Sequence, residues 1–132
     1  MTNHVRRVIG VAICISPVVV SGASIVASFE TNRAPFSAVA IAVMALAIGA
    51  LNFYLSFIRI RWIHRWRGSL DGVANVSGFP MVGTLLALAS GVLGFGSIGT
   101  AGIALVALMI DTGGAPWFLV ATWRDKSLWD GE

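Results

Sequence analysis

Two stretches limit this chain more than anything else in it. Val8 to Phe29 runs 22 residues without a charge, and Phe36 to Ile58 runs 23. At ~1.5 Å rise per residue, each reaches across a hydrocarbon core of ~30 Å. Backbone groups left unpaired in lipid are costly, so such segments cross as helices. Phe79 to Gly94 adds a largely apolar segment of 16 residues, enough for a thin region or a helix tilted among its neighbours. Ile98 to Ile110 is shorter, and spans comfortably only if Pro116 to Trp123 continues it across an Asp-Thr-Gly-Gly break. Only 11% of residues are charged, against about 25% in soluble domains. The 132 residues provide one compact bundle and no soluble catalytic domain.

The charges orient the bundle. Arg6 and Arg7 precede the first segment, Arg59, Arg61, Arg65 and Arg67 follow the second, and Arg124 and Lys126 follow the last. With alternating segments these eight cations share one side, and only Arg33 falls on the other. The positive-inside rule makes the eight-cation side cytoplasmic. The sequence therefore predicts an all-α membrane protein: four transmembrane helices near 8–29, 36–58, 79–94 and 98–123, with both termini inside. A basic cytoplasmic loop would cover 59–78, and the fourth helix would break at Asp111–Pro116. Trp62, Trp66, Trp117, Trp123 and Trp129 all fall near the same inner boundary, where indole rings favour headgroups. The basic start followed by Ser21-Gly22-Ala23 has features of a signal peptide. The apolar run continues to Phe29, so an uncleaved helix is expected.

Small residues recur at a 4-3 spacing. The first segment has Gly10, Cys14, Pro17, Ser21, Ser24 and Ser28, and the second has Ala38, Ala42, Ala45, Gly49, Asn52 and Ser56. The third has Pro80, Thr84, Ala87, Gly91 and Gly94, with Gly83 beside them; the fourth has Thr100, Ala104, Ala107, Asp111 and Gly114. Such a period keeps one stripe toward a neighbour. Lipid supplies no hydrophobic drive between helices, so close contact between small residues matters. Ala38, Ala42, Ala45, Gly49, Asn52, Gly83, Ala87 and Gly91 are thus candidates for a helix-packing or partner seam. Pro17 is expected to bend the first helix, and hydroxyls near it can satisfy the freed carbonyls.

Asp111 is the leading candidate for chemistry. Thirteen residues along from Ile98, it lies ~20 Å deep by helical rise. A carboxylate inside a membrane costs ~2.5–3.5 kcal/mol on insertion scales and is by default a functional candidate. Broken helices bind ions in transporters, so ion or proton handling is one reading. Another is structural: Gly113 or Gly114 can end the helix at positive φ, Asp111 or Thr112 can satisfy loose amides, and Pro116 suits a new first turn. Partner recognition is a third.

The run Arg59-Ile60-Arg61-Trp62-Ile63-His64-Arg65-Trp66-Arg67 is a lipid-headgroup candidate, at ~1 kcal/mol per cation beside an anionic inner leaflet. Its position against the membrane argues against nucleic acid. His64 has only His4 as a second histidine, which leaves no metal site, and Cys14 alone forms no internal disulfide. No cofactor motif stands: Gly94-x-Gly96-x-x-Gly99 matches the letters of a dinucleotide loop but follows no βαβ pattern. No paired acid–base or nucleophile constellation is present, so an enzyme is not expected.

The length is similar to that of four-helix multidrug exporters, but their first-helix glutamate has no counterpart between Val8 and Phe29. The size of small fluoride channels is also similar, without their motifs. In the C-terminal half, Gly-Phe-Pro-Met-Val-Gly-Thr-Leu-Leu-Ala-Leu followed by Asp-Thr-Gly-Gly-Ala-Pro-Trp-Phe resembles small bacterial inner-membrane proteins, some of them immunity proteins paired with secreted antibacterial toxins. The resemblance covers Gly78 to Trp123. It implies a multi-pass bacterial inner-membrane protein that acts without catalysis by binding a membrane-acting toxin or another membrane partner. The alternative is a small oligomeric ion- or proton-coupled transporter or channel using Asp111.

Overall fold

The computed structural model describes residues 3–30, 32–68, 78–125 and 129. Among the described residues every regular element is a helix, with no strand. Helix α1 covers Asn3–Ala27 and α2 covers Phe36–Phe53. A π-helical turn, Tyr54–Ile58, joins α2 to α3, Arg59–Arg67, without a loop. Then come α4 (Val82–Leu93), α5 (Ile98–Ile110) and α6 (Ala115–Thr122). Three stretches are long and apolar enough to cross a membrane: Val5–Ala27, Phe36–Arg67 and Ile98–Thr122. Helix α4 is too short for that at 12 residues.

The core is made of small side chains. Ala38, Ala42, Ala45, Gly49 and Asn52 form the buried stripe of α2, and α2 packs on both α4 and α5. Gly83, Thr84, Ala87, Ser90 and Gly91 are the buried face of α4. Helix α1 closes the bundle against α4, α5 and α6, burying Cys14, Pro17, Ser21, Ser24 and Ser28. Every residue of the proposed seam therefore lies inside. Apolar bulk points outward instead, with Val8, Val26, Leu85, Val106 and Met109 exposed. That is the inverse of a soluble fold, and it suits lipid as the surrounding solvent.

Pro17 shows how α1 stays helical. Proline has no N–H to donate to the carbonyl of residue i−4, here Ile13. The Ser16 hydroxyl donates to that oxygen at 2.8 Å.

Two ends of the bundle can be told apart. Gly96 N donates to Ser24 Oγ (3.0 Å), and Ile98 N to Asn32 Oδ1 (3.2 Å). The α4–α5 turn thus sits at the end of α1 away from its arginines. At the other end Arg7 lies over the Trp123 ring, 5.8 Å from its centroid. Trp129 is buried at this end, within 6.4 Å of Trp123, and its indole N–H donates to Thr122 O at 2.7 Å. A methyl at Gly10 would overlap the Trp129 ring.

Several expected boundaries move. Helix α1 starts at Asn3 rather than Val8, taking Arg6 and Arg7 into the helix. The basic run expected as a loop is helical as far as Arg67. Nothing before Gly68 breaks a helix, and Gly68, at φ 68°, ends it. The rest of the expected loop, 69–77, lies outside the described residues. The third helix starts at Val82, because Phe79 and Pro80 are held in a non-helical segment and Met81 is left-handed at φ 66°.

Candidate functional site

At the break after α5 the buried polar side chains of Asn52, Thr84 and Asp111 come together. Helix α5 ends at Ile110 and Asp111 leaves helical geometry (φ −73°, ψ 82°). Gly113 and Gly114 do not adopt the positive φ expected of them. They are needed for room. A Cβ at Gly113 would lie 3.1 Å from Asn52 Nδ2; one at Gly114 would lie 2.7 Å from Thr84 Oγ1 and 2.9 Å from Asp111 Oδ2. Chain direction changes through local bonds: Thr112 N donates to Ile110 O and Gly114 N to Asp111 O. Pro116 then falls in the first turn of α6, where its missing N–H costs nothing. Trp117 Nε1 reaches back to Met109 O at 2.9 Å, satisfying a carbonyl that the broken helix leaves free.

A second irregular segment meets this one. Met81 N donates to Gly113 O at 3.0 Å. Asn52, near the end of α2, ties both together. Its Oδ1 accepts from Phe79 N (2.9 Å), and its Nδ2 donates to Phe79 O (3.1 Å) and to Asp111 Oδ1 (2.6 Å). Asn52 thereby uses both amide hydrogens. It supplies Phe79 with the donor and acceptor that a helix would have provided. Thr84 Oγ1 adds a further tie by accepting from Ala115 N at 2.9 Å, at the start of α6.

Asp111 has no exposed surface and is among the largest fully buried side chains. Its two oxygens differ. Oδ1 accepts from Asn52 Nδ2 and, at 3.3 Å, from Gly113 N. Oδ2 has no hydrogen-bond partner among the described residues. It sits against Gly83, where a methyl would overlap it. The groups facing the carboxyl, from Gly49, Asn52, Gly83, Thr84, Gly113 and Gly114, carry no charge. Leaving a buried charged group unpaired is expensive; Ser21 Oγ, the other buried polar side-chain atom without a partner among the described residues, belongs to a neutral hydroxyl. The site is level with the middle of α1: Met81, Thr84 and Ala115 share a pocket with Ile13, Ser16 and Pro17.

A cleft of ≈ 200 Å³ lies beside the pair, lined by Asn52, Ser56, Gly78, Pro80 and Gly113. Ser56, one turn nearer the basic helix, is exposed and shares a 2.9 Å hydrogen bond with Thr112. Ser56 belongs to the π turn, a distortion common at functional sites.

The remaining candidates lie elsewhere. Arg59, Arg61, Arg65 and Arg67 are on α3 with Trp62 and Trp66, whose rings stack at 6.1 Å. Both tryptophans and His64 are exposed. Among the described residues no group of three His, Cys, Asp or Glu could hold a metal ion. Sequence reasoning treated Asn52 as packing glue and missed its partnership with Asp111. Depth was the available signal: Asn52 lies 16 residues from Phe36 and Asp111 lies 13 from Ile98, so each is ~20–24 Å from its helix start. No protein-family model matches the chain, and no curated protein or solved structure matches it.

Proposed function

We propose that this is a small membrane transport or channel protein in which Asp111 handles a proton or small cation. One observation carries the reading: a carboxylate with no exposed surface, at a helix break, has one oxygen without a partner. Stabilising a fold does not require such an oxygen, since an asparagine at 111 could keep the Oδ1 bonds. A group that binds and releases an ion does require it. The meeting of two irregular segments at Asn52, level with mid-α1, is the layout in which discontinuous helices expose backbone and side chains to a transported species. The eight-cation end is then cytoplasmic, α3 lies at the inner leaflet with its arginines on anionic headgroups, and the chain functions as an assembly of copies. A bacterial inner membrane is the setting implied by the resemblance of the C-terminal half.

The immunity reading would have a toxin dock on the small-residue seams. Those seams are buried within the chain, so a docking partner would have to use other surfaces. The transport reading is therefore preferred. The test is flux in proteoliposomes, driven by a pH gradient or an alkali-cation gradient. Asp111→Asn should abolish flux while retaining helical content and monodispersity. Full flux in that variant would end the reading.

A further inference from the structure

We infer that the species bound at Asp111 is a proton, carried on Oδ2 and delivered from the basic end of the bundle through the cleft at Ser56 and Asn52. This rests on reading Asp111 as the working group and adds its ligand and its route.

The asymmetry of the carboxyl favours a proton. Both donors, Asn52 Nδ2 and Gly113 N, point at Oδ1. Oδ1 is the carbonyl-like oxygen, and the oxygen without a donor is the one that carries hydrogen. A protonated carboxyl is neutral, which removes the cost of an unpaired buried charge. A metal cation fits poorly here. Hard cations take about six or more oxygen ligands. Around Oδ2 stand the Cα atoms of Gly83 and Gly114, with Thr84 Oγ1 already accepting from Ala115 N. Among the described residues the site has no charged neighbour to compete for the proton: α2 contributes Gly49 and Asn52, α4 contributes Gly83 and Thr84, and the break contributes Gly113 and Gly114.

The route follows from what covers Oδ1. The Asn52 amide and Gly113 separate it from the cleft, and both also line the cleft. When the Asn52 amide swings off Oδ1, water in the cleft can reach it. Hydronium transfers a proton to the carboxylate, an O–H bond forms, and water is left. Half a turn about Cβ–Cγ then places the hydroxyl against Gly83 and returns a bare oxygen to Asn52 and Gly113. Release reverses these steps. Asn52 is a positioning and gating residue.

The experiment is infrared difference spectroscopy of the whole protein in lipid, stepping pH and then exchanging into D₂O. It reads a bound proton directly and needs no transport, so failure of flux and failure of the proton site are distinct results. The expected result is a carboxylic-acid C=O band that comes and goes with pH, is lost in Asp111→Asn and is unmoved by sodium or potassium. If Asp111→Asn does not fold, isotope-labelled aspartate in the unaltered chain must shift the same band. Deuterium exchange of that band should slow several-fold in Ser56→Leu, which fills the cleft. The inference is overturned by a carboxylate that stays ionised at every pH where the protein is folded. It is equally overturned by a band that responds to alkali cations instead of pH, or by exchange that Ser56→Leu leaves unchanged.

Discussion

Asn52 Nδ2 donates to Asp111 Oδ1 at 2.6 Å across 59 residues of sequence, and the same amide group holds both backbone polar atoms of Phe79. One side chain thus sets where two irregular segments stop being helical. Replacing Asn52 by Ala leaves Phe79 N–H, Phe79 C=O and part of Asp111 without partners. An orphaned buried group costs ~1–3 kcal/mol. Asn52→Ala should lower stability by at least one such amount, read by denaturant titration in detergent micelles. A change no larger than that of an exposed alanine substitution would show that water replaces Asn52 at little cost.

Gly83 and Asp111 should be coupled. A methyl at Gly83 overlaps Asp111 Oδ2, and overpacking costs ~1–3 kcal/mol. In an Asp111→Ala background the obstacle is gone. A double-mutant cycle should therefore return an interaction energy of ~0.5–3 kcal/mol for contacting residues, with Gly83→Ala better tolerated in the second background. Additive effects would mean that Gly83 matters for some other reason.

The glycines within the helices are not equivalent. A Cβ at Gly91 would lie 3.2 Å from Val20 Cγ1, whereas one at Gly22 meets nothing within 4 Å. Gly91→Leu should drive α4 from α1 and cost ~1–3 kcal/mol or more. Gly22→Leu should stay within ~0.5 kcal/mol, as for surface positions. Thermal aggregation midpoints of the two variants in one lipid mixture give the comparison. Equal midpoints would mean that α1 and α4 are not in close contact.

Trp129 seats across Gly10. Gly10→Val should eject it, breaking its bond to Thr122 O and exposing the ring to water. Tryptophan emission should shift to longer wavelength, and a Trp129→Phe control should remove the shift. An unmoved spectrum would place Trp129 elsewhere in the lipid-bound protein.

The arginines of α3 should hold anionic lipid at ~1 kcal/mol each. Arg59→Gln, Arg61→Gln, Arg65→Gln and Arg67→Gln together should strip anionic lipid from the purified protein at moderate salt, measured by native mass spectrometry. Retention equal to that of the unaltered chain would assign the lipid to another surface.

Much of the architecture was legible because membrane helices announce themselves by length and lack of charge. Uncharged runs marked α1 and α2, and the Asp-Thr-Gly-Gly-Ala-Pro run marked the break. The 4-3 spacing of Ala38, Ala42, Ala45, Gly49 and Asn52 is the buried stripe of α2. What failed was local. Apolarity alone does not separate Phe79, Pro80 and Met81 from the helix that follows, because their departure depends on Asn52, 27 residues earlier. The basic run read as a loop by its charge, yet Arg is a good helix former and no breaker precedes Gly68. The glycines of the break were read for backbone freedom, and their use is clearance for side chains on other helices. The carboxylate pairing was missed because it joins two residues whose shared depth becomes visible only when both helices are measured from the same end.

The π turn at Tyr54–Ile58 makes the stretch between Asn52 and Arg59 one residue longer than a regular helix would need. Each residue turns an α-helix by about 100°, and the wider π turn takes up the surplus residue, so the arginines and stacked tryptophans of α3 face, relative to the Asn52 clamp, as they would on a regular helix one residue shorter. Deleting Leu55 would let the helix run on regularly with the cationic face little changed, whereas forcing the full-length stretch into a regular α-helix would swing that face about a quarter-turn around the bundle, with the buried stripe of α2 left where it is. The π turn is a phase setting: it keeps the cationic face of α3 in line with the polar pair Asn52 and Asp111 despite the surplus residue.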